Sequence, residues 1–230
     1  KIFCTFLVFF STLPLVMSLI QFAVIGFHRF FTGYERLSEK FPRVAIIVPA
    51  WNEAPVLSNT VDQLMSLEYP RESLRIYVVD DASTDNTPEV MAGKMAEFEG
   101  NVFHLRREKG GQGKAHTLNH GIGIILGDDW CEALLIMYAD VLFEKDSLRK
   151  MARHLSDKTI GAVTAYIKEG SQPGNYMTKF ISFEYITAQA ASRRAQNIFG
   201  AMACLAGGAQ LHTRENLLAI GGAIDTSSLA

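Results

Sequence analysis

Three polar clusters carry the chemistry of this 230-residue chain. Asp80-Asp81 opens the run Asp-Asp-Ala-Ser-Thr-Asp-Asn-Thr, residues 106–114 read Arg-Arg-Glu-Lys-Gly-Gly-Gln-Gly-Lys, and Asp140 closes Tyr-Ala-Asp. An acidic pair directly after a strand either accepts hydrogen bonds from a ligand or does no more than cap the Asp85–Thr87 turn. A flexible cationic glycine loop that opens a helix suits a pyrophosphate. It is not a dinucleotide fingerprint, because the first strand runs into Pro49-Ala50-Trp51 and not into G-x-G-x-x-G. Nor is it a P-loop: Ala115 follows Gly113-Lys114, and Glu108 stands where the first glycine belongs. Asp140 offers the oxygen ligand that a hard divalent cation needs, with phosphate oxygens and water completing the shell. His116 and His120 have the i, i+4 spacing of a zinc pair but no third ligand, so they read as surface or structural residues. Arg106, Arg107 and Lys109 read as a solvated basic rim.

Positioning these clusters requires strands that end just before them. Val44–Val48 reads as a buried strand, and a helix follows from about Glu53 to Leu67, with Leu57, Val61, Leu64 and Met65 on one face. Ile76–Val79 is the second strand, and Thr87-Pro88 starts a helix with Thr87 as N-cap. Val102–Leu105 is a weaker third strand, Lys114–Leu126 a helix, and Ala133–Ala139 a strand apolar on both faces. Asp146–Leu155 reads as helix and Ala162–Ile167 as strand. Tyr176, Phe180, Phe183, Ile186 and Ala190 then form a helical stripe. Apolar strands alternating with helices predict an α/β fold, a mostly parallel sheet with helices on both faces. In such sheets ligands bind at the carboxyl ends of the strands. All four of the first strands end in aromatic, acidic or basic-plus-glycine residues, and Asp128-Asp129 lies at the opposite end.

The front of the chain is of another kind. Ile2–Phe27 contains no charged residue. At about 1.5 Å per residue this is longer than the ~30 Å hydrocarbon core, so it reads as a transmembrane helix and not as a signal peptide. Residues 1–31 are thus expected to form the membrane helix, 32–40 a juxtamembrane linker and 41–230 one globular domain. Arg29, Arg36, Lys40 and Arg43 follow the helix and only Lys1 precedes it, which places the domain in the cytoplasm of an integral membrane protein. Three cysteines exclude a disulfide scaffold, and a net charge of −2 gives no electrostatic case for nucleic-acid binding. The first residue is Lys and the last pair Leu229-Ala230, so a piece cut at both ends is expected.

Taken in order, V-A-I-I-V-P-A-W-N-E, Y-V-V-D-D-A-S-T-D-N-T, G-Q-G-K-A-H-T-L-N and Y-A-D resemble the inverting glycosyltransferases of family 2. Gly207-Gly208-Ala209-Gln210-Leu211-His212-Thr213-Arg214 resembles that family's acceptor-side segment. The resemblance implies the GT-A fold and a nucleotide-activated sugar, usually a UDP-sugar, with Mg²⁺ or Mn²⁺. With a membrane helix ahead of the domain, it is similar to the polysaccharide synthases, whose acceptor is a growing glycan. A non-processive transferase to a lipid or short glycan, or a non-catalytic nucleotide-sugar binder, are the alternatives. On this resemblance Pro49, Trp51, Glu53, Asp80, Asp81 and Lys114 line the nucleotide: Trp51 packs on the base, one of the acids meets base or ribose, and Lys114 meets the diphosphate, with Asn119 in the same motif. Asp140 is the metal ligand, although Tyr138 stands where the family has the first acid of Asp-x-Asp. Gly207 and Gly208 lie on the acceptor side. The general-base Asp of the family is expected beyond Ala230, so the 230 residues alone are expected to bind donor without turning it over.

Overall fold

The computed structural model describes residues 2–27, 39–166, 174–198, 200, 202, 205 and 207–222. These fall into two compact units, one comprising residues 1–36 and 166–206, the other 37–165 and 207–230.

The second unit is built on a six-stranded sheet of order β3-β2-β1-β4-β6-β5, with β1 Val44–Ala50, β2 Leu74–Asp80, β3 Val102–Arg106, β4 Ala133–Met137, β5 Ala162–Thr164 and β6 Ala209–Thr213. Strands β1 to β4 run parallel, and β6 is antiparallel to both β4 and β5. Alternation along β1 divides the core into two layers. Val44, Ile46 and Val48 face the helices α2 (Ala54–Met65), α3 (Thr87–Glu97) and α5 (Ser147–Ala152). Ala45 and Ile47 face α4 (Lys114–Gly127) and α8 (Arg214–Ala219). The four apolar residues expected on one face of α2 are all buried.

Several boundaries differ from the sequence expectation, each for a local reason. β1 continues through Pro49, which pairs with Val79 but lies beyond Ile47, the last residue of β1 paired with β4. A proline costs no ladder hydrogen bond on a side without a neighbour. β4 stops at Met137 instead of Ala139, because the Tyr138 N–H turns to the Gly208 carbonyl at 3.4 Å and a turn follows. The cap of α3 is Asn86, not Thr87, which is its first residue; Asp85 Oδ1 accepts the Thr87 N–H at 3.0 Å. The helix expected over Asp146–Leu155 is α only to Ala152 and then tightens to a 3₁₀ turn, Arg153–Ser156. β5 ends at Thr164, and Ile167 lies outside the described residues.

The close fit of α4 on the sheet gives two opposite glycine predictions. A Cβ on Gly121 would lie 2.5 Å from Val79 Cγ2 and 2.6 Å from Ile47 Cδ1, both fully buried, whereas Gly123 has open space around it. Gly123→Ala is expected to stabilise by up to about 1 kcal/mol through helix propensity. Gly121→Ala forfeits the same gain to overpacking that costs about 1–3 kcal/mol. Thermal midpoints moving in opposite directions would confirm the pair; equal shifts would refute it.

In the first unit, α1 (Ile2–Ile25) contains a 21-residue stretch, Thr5–Ile25, long and apolar enough to cross a membrane, and no part of it is buried. Pro14 is accommodated inside the helix. The remaining helix runs as α6 (Tyr176–Tyr185), a π-helical segment Ile186–Ala191 and α7 (Ser192–Ile198). α6 starts with a reciprocal cap, Asn175 Oδ1 accepting the Thr178 N–H at 3.0 Å and Thr178 Oγ1 accepting the Asn175 N–H at 3.2 Å. The carboxyl-terminal turns of α1 meet this segment, and Ser192 Oγ bonds Gln21 Oε1 at 3.2 Å. Tyr176, Phe180, Phe183 and Ile186 of the expected stripe are exposed; the side chain of Ala190 lies outside the description.

Candidate functional site

The chain runs β1, β2, β3 to one side of the sheet and then returns to lay β4 on the other side of β1. That reversal leaves a crevice at the carboxyl ends of β1 and β4, where open α/β sheets take their ligands. Trp51 follows β1 there and keeps 63% of its surface exposed, which no core tryptophan would. Asp140 follows β4 and is exposed. Pro49 is the penultimate residue of β1, and Glu53 precedes the first residue of α2 without capping it by its side chain.

The acids after β2 are tied down from every side. Asp80 is wholly buried: Oδ1 accepts the Ser83 N–H at 2.7 Å, and Oδ2 lies 3.2 Å from His104 Nε2 and 3.8 Å from Arg106 Nε. Asp81 pairs with Arg107, each side chain only 10% exposed, and its Oδ2 accepts the Gly111 N–H at 2.9 Å. Burial pushes the Asp81 carboxyl up, but the Gly111 N–H, the Thr117 hydroxyl and Arg107 outweigh it and hold it below the usual carboxylate range. Arg107 also reaches Gln112 Oε1. The acidic pair therefore anchors the glycine loop, and Asp81 is the member with side-chain surface left to offer.

A second clasp joins the turns after β1 and β2. Asn52 sits in the left-handed region at φ 56°, where asparagine is tolerated. Its Oδ1 accepts the Thr84 N–H at 2.8 Å and the Asp85 N–H at 3.3 Å, while its own N–H goes to Ser83 Oγ at 2.9 Å. Trp51 is thereby presented from a turn fixed to the acidic loop.

Lys114 opens α4, and its Nζ lies over the face of the Tyr138 ring. Lys114 is exposed overall, and partial desolvation draws its ammonium down, against the opposing pull of Asp140 and then Glu53. Gly207 passes the other end of the same ring, where a Cβ would come within 2.8 Å of the Tyr138 hydroxyl. Lys114, Gly207 and Gly208 thus converge on Tyr138.

The sequence matches the model of the family described as Glycosyl transferase family 2 over residues 45–217. The chain belongs to glycosyl transferase family 2. Among curated members it is 31% identical over 185 residues to an N-acetylglucosaminyltransferase of Rhizobium sp. (strain N33), an alignment covering 80% of this chain and 40% of that protein. It is 29% identical over 183 residues to a beta-monoglucosyldiacylglycerol synthase of Synechocystis sp. (strain ATCC 27184 / PCC 6803 / Kazusa), covering 79% of this chain and 37% of the relative. The chain spans about two fifths of the length of these relatives. Among solved structures it is similar to the mannosyltransferase PcManGT of Pyrobaculum calidifontis in complex with GDP-Man and Mn²⁺, at 26% identity and a TM-score of 0.63, covering 91% of this chain and 59% of that one. The fold is that of the GT-A glycosyltransferases.

Within this family-2 site, two sequence expectations change. Arg107 is not part of a solvated rim but the buried partner of Asp81, and Arg106, though half exposed, donates to the Ser83 carbonyl at 3.0 Å. Asp128 pairs with Arg75 at 3.0 Å at the start of β2, the end of the sheet remote from Asp140. His116 and His120 are exposed on α4, and among the described residues no cluster of three His, Cys, Asp or Glu side chains could hold a metal. Asp140, exposed after β4, is an oxygen ligand of the kind a hard divalent cation takes, and alone it would leave the rest of the shell to other oxygens and water. The sequence reading missed the contacts of His104, Arg107 and Tyr138, whose partners are distant along the chain; the Asp80–Arg106 strand pairing accounts for the first two.

Proposed function

We propose that this chain is the donor-binding part of a membrane-anchored, inverting glycosyltransferase, with the sheet unit cytoplasmic, that moves a sugar from a UDP-sugar to a growing polysaccharide. The observation that carries this reading is the gathering of Trp51, Asp81, Lys114 and Asp140 around the reversal of the sheet. The exposed Trp51 ring stacks on the nucleobase, and Asp81 accepts a hydrogen bond from base or ribose. Lys114 stabilises the diphosphate, and Asp140 holds Mg²⁺ or Mn²⁺. When bound, the cation neutralises charge that develops on the leaving diphosphate. Gly207 and Gly208 border the acceptor, whose hydroxyl gives its proton to a carboxylate base and displaces the nucleotide in one inverting step. Thr5–Ile25 is the anchor. The Rhizobium likeness supports N-acetylglucosamine as a sugar of the donor, and PcManGT supports a nucleotide-sugar with a divalent cation. A second reading, transfer to a lipid acceptor, is favoured by the likeness to the diacylglycerol-linked synthase.

Titration calorimetry of the 230-residue chain in detergent tests the donor site. UDP is expected to bind more tightly than GDP. Trp51→Ala is expected to weaken UDP by tenfold or more, since a base-aromatic stack contributes about 1–3 kcal/mol. Its thermal midpoint should stay unchanged, because the ring is exposed. Unaltered affinity in Trp51→Ala would remove the base from this turn.

A further inference from the structure

Tyr138 directly follows β4, two residues before Asp140, and its surroundings bear on the charge of Lys114. An acid at this position would face the Lys114 ammonium and cancel its charge. Tyr138 instead lays the face of its ring beneath the Lys114 ammonium. A ring face carries the negative side of the aromatic quadrupole, so it holds a cation in place without neutralising it. The ring is itself immobilised. Its backbone N–H bonds the Gly208 carbonyl at 3.4 Å, its carbonyl accepts the Val141 N–H at 3.3 Å, and its hydroxyl fills the space left by the missing side chain of Gly207. The local acids that offset Lys114 are Asp140 and Glu53, one after β4 and one before α2. Lys114 also stands at the first turn of the 14-residue helix α4, whose amide dipoles favour an anion at that end.

We propose that Tyr138 is the positioning residue for Lys114 and that the two give the donor site a standing positive charge, so that a nucleoside diphosphate binds before, and without, the divalent cation. The inference rests on the reading of this crevice as the donor site. The order would then be nucleotide first, and Asp140 together with phosphate oxygens would hold the cation, since among the described residues no cluster of three His, Cys, Asp or Glu side chains could. Tyr138 acts through Lys114 and touches neither sugar nor metal.

The test is calorimetric titration of UDP into the 230-residue chain, in EDTA and in Mn²⁺, with a thermal midpoint recorded for every variant. For the unaltered chain, removal of Mn²⁺ is expected to change the UDP affinity by less than threefold. Tyr138→Asp is expected to lose at least tenfold in EDTA and to regain most of it in Mn²⁺, because the new carboxylate cancels Lys114 and adds a ligand. Lys114→Met is expected to lose affinity in EDTA to a similar degree. Tyr138→Phe keeps the ring face and is expected to restore the EDTA-tolerant binding that Tyr138→Asp lacks. A merely structural tyrosine would lower affinity equally in both media, and that result would overturn the proposal. So would UDP binding by the unaltered chain only when Mn²⁺ is present, which would leave the donor-site reading standing. Absence of UDP and GDP binding in both media would overturn the two together.

Discussion

Asp81→Ala is expected to destabilise the sheet unit by on the order of 3 kcal/mol and to abolish nucleotide binding, the largest loss for any single carboxylate in the site. The variant strands Arg107, whose side chain is nine-tenths covered, with no carboxylate to face it. It also frees the Gly111 N–H and with it the glycine loop. Most of the cost is the uncompensated guanidinium, so the double variant Asp81→Ala/Arg107→Met should be more stable than Asp81→Ala alone. That inversion is the diagnostic, because two independent contacts would make the double variant the worse of the two. Acid gives a second readout. The Asp81 carboxyl is held below its unfolded value, so its stabilisation is complete above about pH 4 and is lost as pH falls through the depressed folded value. Chemical denaturation should therefore show a steeper loss of stability below about pH 4 in the unaltered chain than in the double variant. Equal slopes would mean that Asp81 is not the titrating anchor.

Why the sequence conceals this is a matter of distance along the chain. Asp81 and Arg107 are 26 positions apart, and each carries a charge that in isolation belongs on a surface. What buries them is the parallel pairing of β2 with β3, which sets Asp80 opposite Arg106 and so carries the next residue of each strand past the sheet edge together. Strand-end chemistry was readable, since Asp80, Arg106 and Asp140 follow apolar runs; side-chain partners across strands were not. The same limit explains β6. Ala209-Gln210-Leu211-His212-Thr213 alternates polar and apolar over only five residues, and its status as a strand is decided by the antiparallel ladder with β4. The sequence reading took it for an acceptor-side segment and no more. His212 lies buried there beside Gln210, at 3.1 Å, and burial pushes its imidazole toward the neutral form. By contrast the α2 stripe and the continuous apolar strands were legible, because period and burial are local properties. Trp51 lay between the two: its type was visible, and only its exposure distinguishes a surface ring from a core residue.

Gly110→Ala is expected to remove nucleotide binding while its neighbour, Gly111→Ala, weakens it only modestly, although both glycines belong to the same flexible-looking loop. Gly110 passes directly over the backbone after β2. A Cβ there would run into the Asp81 carbonyl and meet the Ala82 Cβ at 3.1 Å. Neither neighbour can yield. The Asp81 N–H is bonded to the Ala50 carbonyl at 2.9 Å, and Ala82 is already in the left-handed region at φ 58°. A backbone so held lifts the loop instead, which breaks the Gly111 N–H bond to Asp81 and displaces Lys114 from the start of α4. Gly111 has no atom within 4 Å of its would-be Cβ, but its φ of 81° disfavours a side chain. That strain costs about 1–2 kcal/mol, within what the loop's anchors at Asp81 and Arg107 can absorb. UDP titration and thermal midpoints of the two variants separate the cases. Gly110→Ala should lose more than tenfold in affinity with Lys114 intact, and Gly111→Ala should lose a few-fold at most. Should the two lose affinity equally, glycine flexibility and not close packing on Asp81 would be what this loop requires.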